Sequence, residues 1–310
     1  MINKIIKQLK KDSYKIFGPQ IQDEEVCVLE LDVAPEIELL KKVSHRPYKY
    51  FLMPIREILY KYKNGKPKEE PNKPDKRALF GMSIFDIKAL ELYDRVFEND
   101  IYYQNNRKKL LIIGYSATSI KNYKSSFFTI DEKILENTIF DIFIEDRKFY
   151  VQSDKGEEIL KKCGLKYKKI NYTPRKEDKK VLEIKKAIEK SQDSKLWEEL
   201  GEICLACGKC TVACPTCFCF DIESVLGPDK KIERCSGNCF YDDFTRIAGG
   251  HKFLNSPAEK IKFWYYHKFV RIPHEYGLPG CVDCGRCTIV CPVGINITEN
   301  IKRILKESKK

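Results

Sequence analysis

The spacing of apolar residues changes several times along the chain, and each change predicts an element. Val26 to Leu31 (VCVLEL) alternates and ends at Asp32, which predicts a strand. Tyr48 to Tyr60 (YKYFLMPIREILY) joins an apolar extended start to a helical tail after Pro54. From Lys61 to Arg77 three prolines and many lysines leave almost no apolar residue, the composition of a solvated loop. Ala78 to Phe85 predicts strand and turn, and Ile87 to Phe97 carries helical spacing through Leu90, Leu92 and Val96. Lys109 to Tyr115 (KLLIIGY) is a short apolar run of buried-strand type, and Phe140 to Gln152 predicts a hairpin turning at Glu145–Arg147. The mixture predicts an α+β domain over residues 1–175.

Lysines crowd the stretch from Lys161 to Lys190. One reading is a helix with Val181, Ile184 and Ile188 inward and a solvated basic face. The other is a docking strip for an acidic partner protein. Beyond it the texture changes to helix-forming stretches, notably Pro257 to Val270, separated by Cys-, Gly- and Pro-rich turns. Residues 176–310 are expected to form the second domain.

With 310 residues and 43% hydrophobic content, the chain can bury a core in each of two domains. No apolar run approaches the ~18 residues of a membrane span. The first residues, MINKIIKQLKK, intersperse lysine too often for a signal-peptide core. A cytoplasmic chain without a membrane span is the expectation. A net charge of +12 raises the question of a nucleic-acid partner, but 14 cysteines compete with that reading. In a reducing compartment they point to metal or redox chemistry rather than disulfides. Cys27 and Cys163 are isolated, whereas the other 12 lie between Cys204 and Cys291.

Cys204-Leu-Ala-Cys207-Gly-Lys-Cys210-Thr-Val-Ala-Cys214-Pro215 has the pattern C-x2-C-x2-C-x3-C-P, and Cys281-Val-Asp-Cys284-Gly-Arg-Cys287-Thr-Ile-Val-Cys291-Pro292 repeats it without a gap. In this ferredoxin-type pattern three close thiolates hold one cubane, and the fourth cysteine ligates the other cluster. One [4Fe-4S] cluster is thus expected on Cys204, Cys207, Cys210 and Cys291, and a second on Cys281, Cys284, Cys287 and Cys214. Gly208 and Gly285 are expected to keep side-chain bulk away where backbone N–H groups approach sulfur. Structural zinc normally uses two separated C-x2-C hooks, not four cysteines in eleven residues followed by proline. Cys214 and Cys281 lie 67 positions apart, farther than in compact ferredoxins. An all-helical dicluster ferredoxin-like domain with an insertion between the motifs is therefore expected.

Two coincidental matches fall away. Cys210-x3-Cys214-x2-Cys217 has the spacing of radical S-adenosylmethionine enzymes, but no long βα-repeat barrel follows. Gly208-Lys209-Cys210-Thr211 echoes a phosphate loop whose required earlier glycine is Ile203. Cys217, Cys219, Cys235 and Cys239 either hold a third [4Fe-4S] cluster or are buried structural cysteines. His251 and His267 are expected to line or hydrogen-bond near a cluster rather than ligate iron. Lys209 and Arg286, each between the second and third cysteines of its run, either favour the reduced state, serve as docking contacts, or are solvated loop charges.

Cys204–Phe220, Phe244–His251 (FTRIAGGH), His267–Phe269 (HKF) and Cys281–Val293 together resemble the β subunit of archaeal sulfhydrogenases and, equally, the iron–sulfur electron-transfer subunit of anaerobic sulfite reductases. Residues 195–310 carry the strong resemblance, and Ala78–Phe97 extends a weaker one over most of the chain. It implies a non-catalytic electron-transfer subunit, relaying electrons through two or three [4Fe-4S] clusters between a flavin-containing and a catalytic redox subunit. The chain departs from the family where Phe85, Ser116 and Ser125-Ser126-Phe127-Phe128 stand in place of family cysteines. Any further cofactor those cysteines serve is therefore expected to be missing here. Cys239 matches a family cysteine, while Cys235 falls outside the pattern, leaving a fourth ligand open.

Three rival functions remain in view. A freestanding ferredoxin-like carrier would not need the large first domain. A nucleic-acid-binding iron–sulfur protein rests on charge alone, with no recognisable motif. A flavin or nicotinamide subunit would need a G-x-G-x-x-G fingerprint, which is absent. An oxidised cubane with its thiolates carries roughly −2, so three would lower the net charge to about +6. The basic balance identifies no partner by itself.

Overall fold

The computed structural model describes residues 1–35, 40, 42–71, 73–227 and 230–309. Asn72, within the expected solvated loop, lies outside the described residues. Following the chain, α1 (Ile2–Lys11) leads into the hairpin β1 (Lys15–Gln22) and β2 (Glu25–Glu30). A 3-10 turn at Tyr48–Phe51 precedes β3 (Arg56–Lys63) and β4 (Lys66–Glu69). Next come β5 (Arg77–Met82), α2 (Ile84–Val96), α3 (Ile101–Lys108), β6 (Leu110–Ser116), β7 (Ile142–Glu145), β8 (Lys148–Val151), α4 (Asp154–Lys162) and β9 (Lys168–Lys169). The remainder contains α5 (Lys179–Lys190), α6 (Leu196–Ile203), α7 (Lys209–Val212), β10 (Phe220–Val225) and β11 (Lys231–Ser236). It ends with α8 (Pro257–Tyr266), α9 (Ile272–Tyr276), α10 (Arg286–Ile289) and α11 (Ile297–Glu307).

Two compact units result. One comprises Met1–Met53, Glu69–Ser125 and Thr129–Arg175; the other comprises Pro54–Lys68, Ser126–Phe128 and Lys176–Lys310. The first unit is a mixed α/β structure built on a seven-stranded sheet of order β2-β1-β5-β6-β7-β8-β9. Its central strands β1, β5, β6 and β7 are mutually parallel; β2 runs antiparallel to β1, and β8 runs antiparallel to β7 but parallel to β9. Ala78, Phe80, Leu111 and Ile113 pack in one core with Ile5 and Leu9 of α1 and Leu160 of α4. The alternate residues Leu79 and Ile112 are equally buried. Burial of both faces explains why Lys109–Tyr115 is a continuous apolar run rather than an alternating one. Caps set the helix starts: the oxygens of Ser83, Asp100 and Ser153 accept from Asp86 N, Tyr103 N and Gly156 N.

The second unit departs from the all-helical expectation. It contains a four-stranded sheet of order β10-β11-β3-β4, so the insertion between the cysteine runs begins as a β-hairpin. The segment after Pro54 is strand β3 instead of a helical tail, because it pairs antiparallel with β11, Glu57 opposite Arg234 and Arg56 opposite Cys235. Charged residues hold this sheet together. Glu57 and Arg234 form a buried ion pair, and Arg56 bridges Glu223 and Glu233 at 3.0 and 3.2 Å. The expected loop from Lys61 includes the end of β3 and the exposed β4. Helix α5 buries Val181, Ile184, Ala187 and Ile188, as its periodicity predicts. α8 starts at a Ser256–Glu259 capping box and passes into a π-helical turn, His267–Arg271, before α9.

Candidate metal centre

Each cysteine run folds into the same loop. Ala206 and Asp283 have φ of +49° and +56°, and Gly208 and Gly285 have φ of +71° and +74°. A single helical turn follows each glycine, with Val212 N and Ile289 N donating to Gly208 O and Gly285 O at 3.2 Å. The left-handed residues turn backbone N–H groups toward sulfur. Ala206 N donates to Cys204 Sγ at 3.4 Å, and Ile295 N donates to Cys291 Sγ at 3.3 Å. Asp283 N makes the equivalent bond to Cys281.

The two glycines serve different ends. A Cβ on Gly208 would lie 2.1 Å from Asn238 Nδ2, whereas one on Gly285 would meet nothing within 4 Å. Gly285 is needed for its backbone conformation alone. Gly208 also makes room for buried Asn238, whose Nδ2 donates to Gly208 O at 3.0 Å and whose Oδ1 accepts from Phe240 N.

The fold brings cysteines of the two runs together. Cys204, Cys207, Cys210, Cys287 and Cys291 line one cavity, walled by Trp264 and Tyr265. Burial raises the Cys204 thiol, and Cys207 and Cys291 are among the groups acting on it. Burial likewise raises Cys210, beside Cys287, Cys214, Cys204 and Cys207. Cys287 is pushed up to about 12 by burial, with Cys214 and Cys284 as its neighbours. Cys281 is driven well above its ordinary value by burial, with Lys268 opposing the shift and Cys287 and Cys214 adding to it. Such thiols resist ionisation unless cations enter among them, and iron supplies that charge. The donor set, all sulfur and drawn from both runs, fits iron–sulfur ligation. Among the described residues no three His, Cys, Asp or Glu side chains converge on a single-ion site.

A further group forms beside these. Cys239 hydrogen-bonds Cys219, with Cys217 and Cys210 nearby; that bond and burial push its thiol far up. Cys235 lies on β11, where Glu223, Arg56 and Glu233 are its charged neighbours. His267 packs edge-on against Phe218 and stacks on Phe263, and burial lowers it to about 4, so it is neutral. His251 is exposed beside Phe253. Cys27 and Cys163 both lie in the first unit.

Lys209 and Arg286 occupy equivalent sequence positions, but Lys209 is exposed and Arg286 is only 1% exposed. One buried cation has no signal in the cysteine pattern at all. Lys268 Nζ donates to Cys214 Sγ at 3.0 Å, to Thr216 Oγ1 at 2.8 Å and to Gly280 O at 3.2 Å. Burial pulls its pKa down, but the neighbouring sulfurs of Cys214, Cys217 and Cys281 outweigh this and hold it well above the usual lysine value. Only its place within the HKF segment of the family resemblance could have drawn notice to it.

Residues 203–295 match the 4Fe-4S dicluster domain. The chain is also similar to sulfhydrogenase 2 subunit beta of Pyrococcus furiosus, 27% identical over 313 residues that cover 92% of this chain and 90% of that one. No solved structure matches. The carboxyl-terminal region carries a 4Fe-4S dicluster domain, and the chain is an iron–sulfur protein similar to a sulfhydrogenase β subunit. Among the described residues no helix is long and apolar enough to cross a membrane.

Proposed function

We propose that this chain is a non-catalytic subunit of a cytoplasmic hydrogenase- or sulfite-reductase-type complex, relaying single electrons between a flavin-containing and a catalytic redox subunit. Cys204, Cys207, Cys210 and Cys291 hold one [4Fe-4S] cluster, and Cys281, Cys284, Cys287 and Cys214 hold the second. What supports this reading is that thiols of the two runs lie close enough to act on one another: Cys291 on Cys204, and Cys214 on Cys281 and Cys287 as well as on Cys210. Cys217, Cys219 and Cys239 support a third cubane, for which Cys235 on β11 is the candidate fourth ligand. Residues 1–175 serve as a docking domain.

Bound cubanes supply reversible one-electron chemistry with no bond made to substrate. The protein's share is to place and insulate them. Backbone N–H groups of Ala206, Asp283 and Ile295 donate to ligand sulfurs, which favours the more negative, reduced state. Trp264, Tyr265 and Phe240 keep water from the inner wall of the first site. Leu205 and Cys207 open its other side to the surface, where an electron partner can approach.

Iron and acid-labile sulfide per chain after anaerobic purification test the ligand count: about 8 irons for two cubanes and about 12 for three. A value near 4 or below defeats the dicluster assignment. A freestanding ferredoxin-like carrier would leave the first unit without a role. Stable co-purification with redox subunits favours the complex, and its failure favours the carrier.

A further inference from the structure

Two lysines on the α8–α9 stretch are buried, and their charges end differently. Lys260 Nζ donates to Phe240 O at 2.9 Å and pairs with Asp242 Oδ1 at 2.6 Å, so a carboxylate balances it. Lys268, 1% exposed, has no carboxylate partner among the described residues. Its three contacts are Cys214 Sγ, Thr216 Oγ1 and Gly280 O, and its Nζ lies 5.5 Å from the centre of the Trp264 ring. Thr216 Oγ1 commits its own hydrogen to Gly280 O at 2.7 Å and so accepts from the lysine. Three acceptors match the three N–H donors of an ammonium; a neutral amine would turn its lone pair toward one of them. The anion this ammonium faces is the Cys214 sulfur, as a ligand thiolate.

The backbone supports this placement. Lys268 lies in the π-helical turn His267–Arg271, where an extra residue per turn re-aims side chains. Gly280, immediately before Cys281, packs so closely that a Cβ on it would lie 2.1 Å from Lys268 O. The turn therefore abuts the start of the second cysteine run.

We propose that Lys268 is a positioning residue for electron transfer, whose ammonium on the Cys214 sulfur makes the site of Cys281, Cys284, Cys287 and Cys214 the higher-potential of the two motif sites. This rests on the ligand assignment above. With a cubane bound at each site, one electron would pass from the site of Cys204, Cys207, Cys210 and Cys291, oxidised by one electron, to the site of Cys281, Cys284, Cys287 and Cys214, reduced by one; no bond would break and no proton would move. The added negative charge falls on sulfurs held beside a fixed, desolvated cation, where attraction is far stronger than in water. At the first site the matching charges are weaker: Lys209 is screened by solvent, and Lys260 is neutralised by Asp242.

The test is a dithionite titration with redox mediators, monitored by electron paramagnetic resonance, on the anaerobically purified full chain. Cys214→Ser and Cys207→Ser identify which signal belongs to which site. Lys268→Met should shift the Cys214-dependent midpoint downward by at least a tenfold change in the oxidised-to-reduced ratio, about 59 mV for one electron. The Cys207-dependent midpoint should stay in place, and Lys268→Arg should retain most of the wild-type value. Unchanged midpoints in Lys268→Met with full iron content, or a shift confined to the Cys207-dependent signal, overturn the proposal. If Lys268→Met loses iron, Thr216→Val, which removes one acceptor of the ammonium, should give a smaller shift in the same direction; no shift overturns it. If Cys214→Ser leaves iron and both signals intact, it is the ligand assignment that fails.

Discussion

Cys204–Pro215 and Cys281–Pro292 share spacing, loop dihedrals and a following helical turn, yet the fold treats them differently. Leu205 in the first run is 65% exposed, and its counterpart Val282 is 2% exposed. Lys209 faces solvent where Arg286 is buried, whereas Cys214 and Pro215 are buried where Cys291 is half-buried and Pro292 exposed. If each run lends its last cysteine to the other, as proposed, these differences add rather than cancel. The three-cysteine loop nearer the surface is joined by the shallower Cys291, and the deeper loop by buried Cys214. The duplicated motif thus gives one more exposed run and one more deeply buried run within the second unit. Surroundings, not ligands, distinguish them.

The largest effect should come from removing a ligand. Cys207→Ser and Cys284→Ser should each remove or convert one cubane, with iron falling by up to about four per chain, and stop electron flow through the complex. Cys284→Ser should also lower the unfolding temperature more, since its site is the deeper one; equal losses would break the contrast. Next, Arg286→Ala should cost roughly 2–4 kcal/mol in denaturant unfolding, the scale of a large truncation in a packed interior. Lys209→Ala should stay within about 0.5 kcal/mol. Comparable costs would mean that the equivalent positions are equivalent after all.

The smallest contrast is between the glycines. Both hold a left-handed conformation, which costs an L-residue about 1–2 kcal/mol. Gly208→Ala should exceed Gly285→Ala by about 1–3 kcal/mol, because only the former drives a Cβ into Asn238. Asn238→Ala should narrow the gap when combined with Gly208→Ala, as measured by a double-mutant cycle.

Much of this is legible in the order of residues, for a local reason. Cluster motifs need particular residues within a dozen positions, and parallel strands buried on both faces leave short apolar runs such as KLLIIGY. The misses concern partners far apart in the chain. The segment after Pro54 becomes a strand because β11, over 160 residues later, pairs with it through Arg56, Glu57 and Arg234. Those charged pairs also hide the sheet, since a hydrophobic pattern does not register a strand whose cross-strand contacts are ionic.

Thiol number and thiol spacing were written into the sequence, because the three close ligands of each run are near neighbours. Burial was not, because it depends on what packs above a loop. The expectation that Gly285 keeps side-chain bulk away was not met, since a Cβ there would meet nothing within 4 Å and only its left-handed backbone calls for glycine. Lys268 and Cys214 are 54 positions apart and meet only when the π-helical turn abuts Gly280. Lys209 and Arg286 are indistinguishable by position, and only the packed interior decides that one charge is screened by water while the other is enclosed in protein.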